Sequence, residues 1–295
     1  MKVRDIWIPS TRLPGLDIHV RSKCKHQSGV PLLLLHGTTL PPQLNYDMPF
    51  DGQSAADLIV DQGPDCYMVS ALGYGLSGKP VELLYEPAAG SVGSYDDWVH
   101  DITDVMGYLG FDSYDVLAWS GSAIPSLMLA AQSKIRKLII YGITSFTPKA
   151  HHESENVTYI YFDHGKMHYR RYRDIPISRR EEILPAAWYD SWVAALDEAM
   201  PIKVPQGTEN DRRDIRAGRA TLDQWLDINK VQCDLLFLTG AWDRDVDMDY
   251  FHSLFRLIPA KNKRFRLSKD GSHWALMETK RMNIINIMTG FLQDR

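Results

Sequence analysis

Residues 114–131 read YDVLAWSGSAIPSLMLAA. The stretch joins a short apolar run, a tight turn of small residues, and a segment with apolar side chains at helical spacing. An apolar run without alternation is typical of a strand buried on both faces. The spacing of Ile124, Leu127 and Ala131 is typical of a helix that buries one face. The stretch therefore predicts a strand–turn–helix unit with Ser120 at the turn.

The same alternation of strand and helix extends along most of the chain. Further short apolar runs lie at residues 31–35, 66–72, 137–143 and 234–239. Amphipathic segments of helical period separate or follow them, and the segments DIWIP and LDIHVRS near the start predict an antiparallel edge pair. Alternating β and α elements predict an α/β fold with a mostly parallel central sheet flanked by helices.

One long stretch interrupts this alternation. Residues 145–228 predict a mostly helical lid inserted into a core formed by residues 1–144 and 229–295. The aromatic side chains of the insertion predict either the lining of an apolar pocket or a small core within the lid itself. They are Phe146, Tyr159, Tyr161, Phe162, Tyr169, Tyr172, Trp188, Tyr189, Trp192 and Trp225. The basic cluster Arg170, Arg171 and Arg173 predicts either attraction of an anionic substrate or a solvated face.

Composition excludes several classes of protein. The chain has 295 residues, of which 44% are hydrophobic and 24% charged, so it is neither disordered nor fibrous. Its formal net charge of −4 provides no basic excess for a phosphate backbone, and we expect no nucleic-acid partner. Cys24, Cys66 and Cys233 are widely spaced and predict neither a disulfide framework nor a metal site. We expect no cofactor.

Targeting and membrane signals are also missing from the sequence. The N-terminal residues MKVRDIWIPSTRLPG contain no apolar run of the kind found in signal peptides, and no long apolar run predicts a membrane span. We therefore expect a soluble, cytoplasmic protein with a small-molecule substrate and no membrane partner. The sequence leaves the oligomeric state open, a homodimer included.

Ser120 is the candidate nucleophile. A serine on a sharp turn between a strand and a helix presents its hydroxyl to a crevice, and the helix N-terminus behind it favours negative charge. The turn needs small residues two positions before and after the serine, and these are Ala118 and Ser122. Ser122 is the alternative nucleophile, but Ile124 would then occupy a position that requires a small side chain. A second alternative is that Ser120 only caps the helix.

Backbone amides near this serine could stabilise a negatively charged oxygen. His36 and Gly37 follow the predicted strand at residues 31–35, and the chain then leaves the sheet at Thr38. Acyl transfer forms an oxyanion that two backbone N–H groups can bind. We expect those of Thr38 and Gly121 to do so. The alternative is an ordinary turn with a structural His36.

A carboxylate and a histidine follow two later strands. Asp243 comes just after the run at residues 234–239, and His273 follows the strand-like segment KRFRLS and a Gly-Ser turn. A histidine oriented by a carboxylate can accept and return the proton of a serine. Asp245 and Asp247 are alternatives to Asp243, but we expect both to begin the next helix.

In the chain order Ser…Asp…His, with each residue just past a strand, the sequence resembles the α/β-hydrolase superfamily. The matching segments are His36-Gly37-Thr38, Gly73-Tyr74-Gly75-Leu76-Ser77 with Pro80, Ala118-Trp119-Ser120-Gly121-Ser122, Gly240-Ala241-Trp242-Asp243 and Gly271-Ser272-His273. The resemblance implies Ser120 as nucleophile, Asp243 as acid, His273 as base, and Thr38 with Gly121 as oxyanion hole. The family's elbow glycines are replaced here by Ala118 and Ser122.

The resemblance implies a serine hydrolase that cleaves a carboxylic ester or lactone through an acyl-enzyme intermediate. Other acyl chemistry on the same triad is an alternative: thioester, amide or C–C bond hydrolysis, or acyl transfer. A receptor-like protein that binds a ligand with little turnover is a further alternative, since the fold hosts many functions.

Overall fold

The architecture is given by a computed structural model that describes residues 1–25, 29–83, 92–132, 135–143, 159–161, 163–199, 203–217 and 219–294. Its strands, in chain order, are β1 (Lys2–Pro9), β2 (Asp17–Cys24), β3 (Leu32–Leu35), β4 (Cys66–Val69), β5 (Tyr114–Trp119), β6 (Ile135–Tyr141), β7 (Tyr159–Tyr161), β8 (Lys203–Pro205), β9 (Asp234–Gly240) and β10 (Lys263–Ser268). Its α-helices are α1 (Pro42–Tyr46), α2 (Ala55–Asp61), α3 (Tyr95–Leu109), α4 (Ala123–Gln132), α5 (His164–Arg173), α6 (Arg180–Ile183), α7 (Ala186–Ala199), α8 (Gly207–Arg216), α9 (Met248–Leu257) and α10 (Arg281–Gln293).

Eight of these strands form one twisted sheet. Their order is β1-β2-β4-β3-β5-β6-β9-β10, and every pair from β4 to β10 is parallel. The β1–β2 and β2–β4 pairs are antiparallel. This arrangement confirms the predicted mostly parallel sheet and the antiparallel pair at its edge.

The strands of the centre are buried on both faces because helices cover each side. In β3, Leu33 and Leu35 contact one hydrophobic core, whereas Leu32 and Leu34 contact the other. Helices α3, α4 and α9 cover the first face, and α2 and α10 cover the second. The uninterrupted apolar runs of the sequence follow from this two-sided burial.

Two predicted strands differ by two residues or more in their bounds from those observed. β4 ends at Val69 because the chain then turns sharply, and the amide of Gly73 donates to the carbonyl of Gly78. β6 starts at Ile135 and ends at Tyr141, since Gly142 takes a positive φ of 65° that leaves the strand.

The segment between β6 and β9 contains more than helices. Strands β7 and β8 pair antiparallel in a small separate sheet, and helices α5 to α8 lie around it. The end of the predicted mostly helical insertion, near residues 222–228, holds short 3₁₀ turns at Leu222–Gln224 and Ile228–Lys230. Residues 144–158, with Phe146, lie outside the described part, so the domain boundaries and the lid remain predictions. No helix among the described residues is long and apolar enough to cross a bilayer.

Candidate active site

The three residues expected to carry the chemistry follow three different parallel strands. Ser120 directly follows β5, Asp243 follows β9 and His273 follows β10. Because the carboxyl ends of parallel strands meet at one edge of a sheet, these residues converge there. Ser120 and His273 line the same cavity of about 280 Å³, and Asp243 contacts His273.

Ser120 is held in a strained backbone conformation. Its φ is +55°, and Asp51 is the other non-glycine residue with positive φ in the described part of the chain. A side chain in the left-handed region costs about 1–2 kcal/mol, so the surrounding packing must impose it. The short turn Ser120–Ser122 that begins here leads directly into α4. The residue at the N-cap position of this turn is Trp119, which makes no side-chain cap, and Ser120 lines the cavity instead.

Ser122 occupies a different environment from Ser120. Its side chain is fully buried, and its hydroxyl donates to the carbonyl oxygens of Trp119 at 3.0 Å and Leu35 at 3.2 Å. These bonds tie the end of β3 to the turn after β5. The geometry gives Ser122 a structural position and leaves Ser120 as the serine that reaches the cavity.

Asp243 and His273 form a buried hydrogen-bonded pair. The Nδ1 atom of His273 lies 2.8 Å from Oδ2 of Asp243, and both side chains are almost wholly excluded from solvent. The hydroxyl of Thr239 donates to the same carboxylate oxygen at 3.3 Å, and the amide of Asp245 donates to Oδ1 at 3.0 Å. With Nδ1 engaged as a donor, the neutral imidazole keeps Nε2 as its proton acceptor.

The charges around His273 determine its protonation. Burial alone would lower the pKa of His273, but the charge and hydrogen bond of Asp243, together with the charge of Asp245, raise it above its usual value. A buried base with a raised pKa is a strong proton acceptor, provided that the pH leaves it neutral.

The loop that carries His273 is anchored on three sides. The indole of Trp119 donates to the carbonyl of His273 at 2.9 Å, and the hydroxyl of Tyr141 donates to that of Ser272 at 2.8 Å. The Ser272 hydroxyl donates to Glu278, whose fully buried carboxylate lies 3.7 Å from Arg171. Burial raises the pKa of Glu278 against the opposing charge of Arg171. Glu278 therefore anchors the histidine loop.

The expectation that Asp245 begins the next helix is wrong. Asp247 is the N-cap of α9, and its carboxylate accepts from the amides of Asp249 and Tyr250. Asp245 instead binds two arginines of α5: its carboxylate lies 2.7 Å from Arg170 and 2.9 Å from Arg173. Asp245 lies two residues before this N-cap, in the loop between β9 and α9, and so it does not cap the helix.

Asp245 also belongs to the electrostatic environment of His273. A carboxylate oxygen of Asp243, one of Asp245 and a ring nitrogen of His273 lie within 4.8 Å of one another. Although burial opposes it, the charges of His273, Arg170 and Arg173 hold the pKa of Asp245 well below its usual value. The three atoms are metal-ligand types, but the arginine charges beside them disfavour a cation.

The residues expected to form an oxyanion hole are packed against each other. A Cβ on Gly121 would lie 3.0 Å from the amide nitrogen of Thr38 and would collide with its methyl group. Thr38 and Gly121 both line a niche of about 10 Å³ beside Ser120, room for about one water-sized group. Both residues thus lie next to the candidate nucleophile, and their role as an oxyanion hole stays a prediction.

His36 is a structural residue. Its ring is buried, its Nδ1 donates to the carbonyl of Gly37 at 2.6 Å, and its Nε2 accepts from the amide of Ala71 at 3.2 Å. Tyr74 and Trp98 each pack on it with ring centroids 4.6 Å away. Burial lowers the pKa of His36 to about 4, so the ring is neutral and shapes the loop that ends at Thr38.

The cavity is more polar than an apolar lid pocket would be. Aromatic residues of the core, Trp119 and Trp274, line it, whereas Trp188 and Trp192 of α7 are buried in a hydrophobic core. These two residues therefore do not form a separate core within the insertion: they pack in the large core that also contains Leu34 of β3, and Trp188 stacks on Phe50. Phe162 and the side chains at positions 159 and 161 lie outside the described part.

The basic cluster is not a solvated face. Arg171 is fully buried, where burial lowers its pKa to about 10, and it donates to the carbonyl of Met277. Arg170 lines the cavity, and Arg173 pairs with Asp174 and Asp245. Of the three, Arg170 is the one that could meet a substrate.

Sequence reasoning missed Gly142. It follows β6, and a Cβ there would lie 3.1 Å from Oδ2 of Asp243 and from Nδ1 and Cε1 of His273. The residue leaves room for the histidine–aspartate pair, and its positive φ suits glycine. The sequence feature that could have indicated Gly142 is a glycine near the end of the apolar run at residues 137–143.

This sheet, with a strained serine after β5 and an Asp–His pair after β9 and β10, defines the α/β-hydrolase fold, and comparison with solved structures confirms it. A bromoperoxidase from Bacillus anthracis matches with a TM-score of 0.65 at 16% identity, over 99% of this chain and 100% of that one. An esterase from Exiguobacterium antarcticum matches with a TM-score of 0.64 at 15% identity, over 99% and 100% of the two chains.

A third solved structure is a meta-cleavage product hydrolase from Pseudomonas fluorescens, complexed with acetates. It matches with a TM-score of 0.66 at 15% identity, over 97% of each chain. At this level of identity the likeness establishes the fold. The sequence matches no protein-family model and no curated protein.

Proposed function

We propose that the protein is a serine hydrolase that cleaves a carboxylic ester or lactone through an acyl-enzyme intermediate. The observation that carries the proposal is the strained Ser120 in one cavity with His273, whose Nδ1 is bound to buried Asp243. Those three groups are the nucleophile, the base and the orienting acid of the triad mechanism.

In this mechanism the Ser120 hydroxyl attacks the carbonyl carbon and Nε2 of His273 accepts its proton. The carbonyl oxygen becomes an oxyanion, which the amides of Thr38 and Gly121 stabilise. The protonated His273, held by Asp243, then donates its proton to the departing alcohol, and an ester of Ser120 remains. Water, deprotonated by His273, attacks that ester and releases the acid.

Solved structures of the same fold support hydrolysis as the type of reaction. They include an esterase, a serine hydrolase involved in carbazole degradation and a meta-cleavage product hydrolase. Because these names differ, other acyl chemistry on the same triad is the second candidate. The polar, cationic cavity favours neither reaction, so substrate turnover must decide between them.

The experiment is active-site labelling followed by turnover. A fluorophosphonate probe should label the protein, and a panel of 4-nitrophenyl esters and lactones should be hydrolysed with a burst of about one equivalent. Ser120→Ala should abolish both. Labelling without turnover of any acyl substrate would replace the enzyme by a ligand-binding protein, and absence of labelling would overturn the proposal.

A further inference from the structure

The side chain of Arg171, on α5, is fully removed from solvent. Charged side chains are almost never buried to this extent unless another group of the protein pairs with them. The partners of Arg171 therefore indicate what this residue does. Its hydrogen-bond partner and its ion-pair partner both lie on the stretch of chain that follows β10.

Two nitrogens of the Arg171 guanidinium hold this stretch of chain. Nη2 donates to the carbonyl of Met277 at 2.6 Å, and Nη1 lies 3.7 Å from the fully buried carboxylate of Glu278. The guanidinium also lies 6.0 Å from the ring of Trp274, the residue next to His273. Arg171 thus joins α5 to the loop that carries the histidine.

Glu278 extends this contact back to His273. Its carboxylate accepts from the hydroxyl of Ser272 and, at 3.4 Å, from the amide of the same residue. The Ser272 hydroxyl in turn accepts from the amide of Trp274 at 3.0 Å. Because Ser272 and Trp274 are the two neighbours of His273 in the chain, this network fixes the backbone on both sides of the imidazole.

Arg171 is not among the residues that line the cavity containing Ser120 and His273. Its neighbour Arg170 does line that cavity, and it pairs with Asp245 in the loop between β9 and α9. A substitution of Arg171 can therefore change the position of His273 without removing a group that a substrate could touch.

We propose that Arg171 is a positioning residue for His273 that acts through Glu278 and Ser272. Without Arg171, the buried carboxylate of Glu278 would have no cationic partner among the described residues, and the loop it holds would shift. A misplacement of about 1 Å in a catalytic group can lower turnover about 100-fold. The inference rests on the proposed function in taking His273 as the base, and it adds a role for α5 in the reaction.

Arg171→Met tests this role because it removes the charge and keeps a long apolar side chain. Its kcat on a 4-nitrophenyl ester should fall about 10–100-fold, and its KM should stay within about twofold of the parent value. Arg171→Lys restores a cation opposite Glu278 and should lose less than about fivefold in kcat. An unchanged kcat in Arg171→Met, or a loss confined to KM, would overturn the inference.

Arg281→Met is the matched control. Arg281 is also buried, its Nη2 donates to the carbonyl of Phe50 at 2.8 Å, and its guanidinium lies 4.9 Å from the ring of Trp188. This variant should melt at a lower temperature than the parent, as Arg171→Met should, and should keep the parent kcat. Equal losses of kcat in the two variants would show a general effect of lost stability and would overturn the positioning role.

Glu278→Gln tests the route of the effect. If Arg171 acts through Glu278, the protein with both substitutions should lose no more kcat than the more damaged single variant. Losses that multiply would overturn the route. Should Arg171→Met fail to fold, Glu278→Gln alone must lower kcat about tenfold with KM within about twofold, and an unchanged kcat would overturn the inference.

Proton NMR separates this inference from the proposed function because it requires no turnover. The Nδ1 proton of His273, in a 2.8 Å hydrogen bond to Asp243, should give a far-downfield resonance that is absent from His273→Gln. Arg171→Met should shift or broaden this resonance, and Arg281→Met should not. An unmoved resonance in Arg171→Met would overturn the positioning role even in an active hydrolase. A shifted resonance in a protein that hydrolyses no acyl substrate would overturn the proposed function alone.

Discussion

Gly142 and His273 approach so closely that a Cβ on the glycine would lie 3.1 Å from the imidazole Nδ1. The same Cβ would lie 3.1 Å from the carboxylate oxygen of Asp243 that binds this nitrogen. The end of β6 therefore sets the space in which the Asp243–His273 pair forms, although neither residue belongs to that strand.

We expect Gly142→Ala to displace this pair. Turnover should fall about 10–100-fold, because small misplacements of catalytic groups are costly. The strained backbone should lower the free energy of unfolding by about 1–2 kcal/mol. Ester kinetics and urea unfolding measure the two effects.

Gly110→Ala is the matched control. Gly110 ends α3 with φ +71°, and a Cβ there would have no heavy atom within 4 Å. It should lower stability by about 1 kcal/mol and leave turnover unchanged. Equal activity losses in the two variants would show that strain, and not contact with His273, is responsible.

Ser120→Ala and Ser122→Ala should have opposite effects. The first removes the candidate nucleophile and should reduce ester turnover about 10⁴-fold or more. The second removes a buried hydroxyl that donates to Trp119 and Leu35, so it should lower the free energy of unfolding by about 1 kcal/mol and retain labelling. Probe labelling and thermal melts measure both, and a labelled Ser120→Ala protein would move the nucleophile to Ser122.

Replacement of Asp243 and replacement of Asp245 should have different effects on turnover. Asp243→Asn keeps the shape of the side chain but removes the charge that holds the His273 tautomer, so turnover should fall about 10⁴-fold. A folded but inactive Asp245→Asn beside an active Asp243→Asn would instead make Asp245 the acid. Thermal melts exclude unfolding as the cause in either variant.

The pH profile of Asp245→Asn tests the charge near His273. Asp245 helps to raise the pKa of His273, and a base acts only when neutral, so activity should rise with pH as the imidazole loses its proton. Removing the charge of Asp245 lowers that pKa and should shift the rise in kcat/KM to lower pH by several tenths of a unit or more. A profile shifted to higher pH, or unshifted, would contradict this electrostatic role.

His36 should make the protein sensitive to acid. Burial lowers its pKa to about 4 from 6.5, so between these values the unfolded chain binds more protons than the folded one. The contribution of His36 is fully present above pH 6.5 and is lost as the pH falls toward 4. By linkage the loss between about pH 7.5 and about pH 5 is about 2 kcal/mol.

Urea unfolding at both pH values checks this expectation. The loss of stability on acidification should be about 2 kcal/mol smaller in His36→Asn than in the parent protein. His100→Asn, at an exposed position of α3, should retain the parent's full loss. An equal loss in all three proteins would assign the acid sensitivity to other groups.

The parts of the fold that could be predicted are those in which burial on both faces imposes an apolar run. The run LLLL of β3 and the turn after β5 could be predicted because the residue types in these segments indicate burial on both faces and a tight turn. Helix α2 was missed, although Ser54 and Asp57 form a capping box at its start, because the helix is only 7 residues long. The bounds of β4 and β6 depended on loop contacts that no local pattern encodes.

The candidate site also has residues whose positions the sequence predicts and residues whose positions it does not. Ser120, Asp243 and His273 could be located because each follows a strand, and parallel strands bring their ends together. The position of Asp245 could not be predicted, since its partners Arg170 and Arg173 lie on a helix distant in the sequence. The charge of the cavity likewise depends on how α5 and α8 pack, which residue spacing within either helix does not specify.

The positive φ of Ser120 implies a conflict between thermal robustness and reactivity. A residue with a Cβ is held there at a cost of about 1–2 kcal/mol, which glycine would largely avoid. Ser120→Gly should therefore melt at a higher temperature than Ser120→Ala, although both lack the hydroxyl. Variants selected for heat stability without a test of activity should therefore replace Ser120 first, and with it lose the candidate nucleophile.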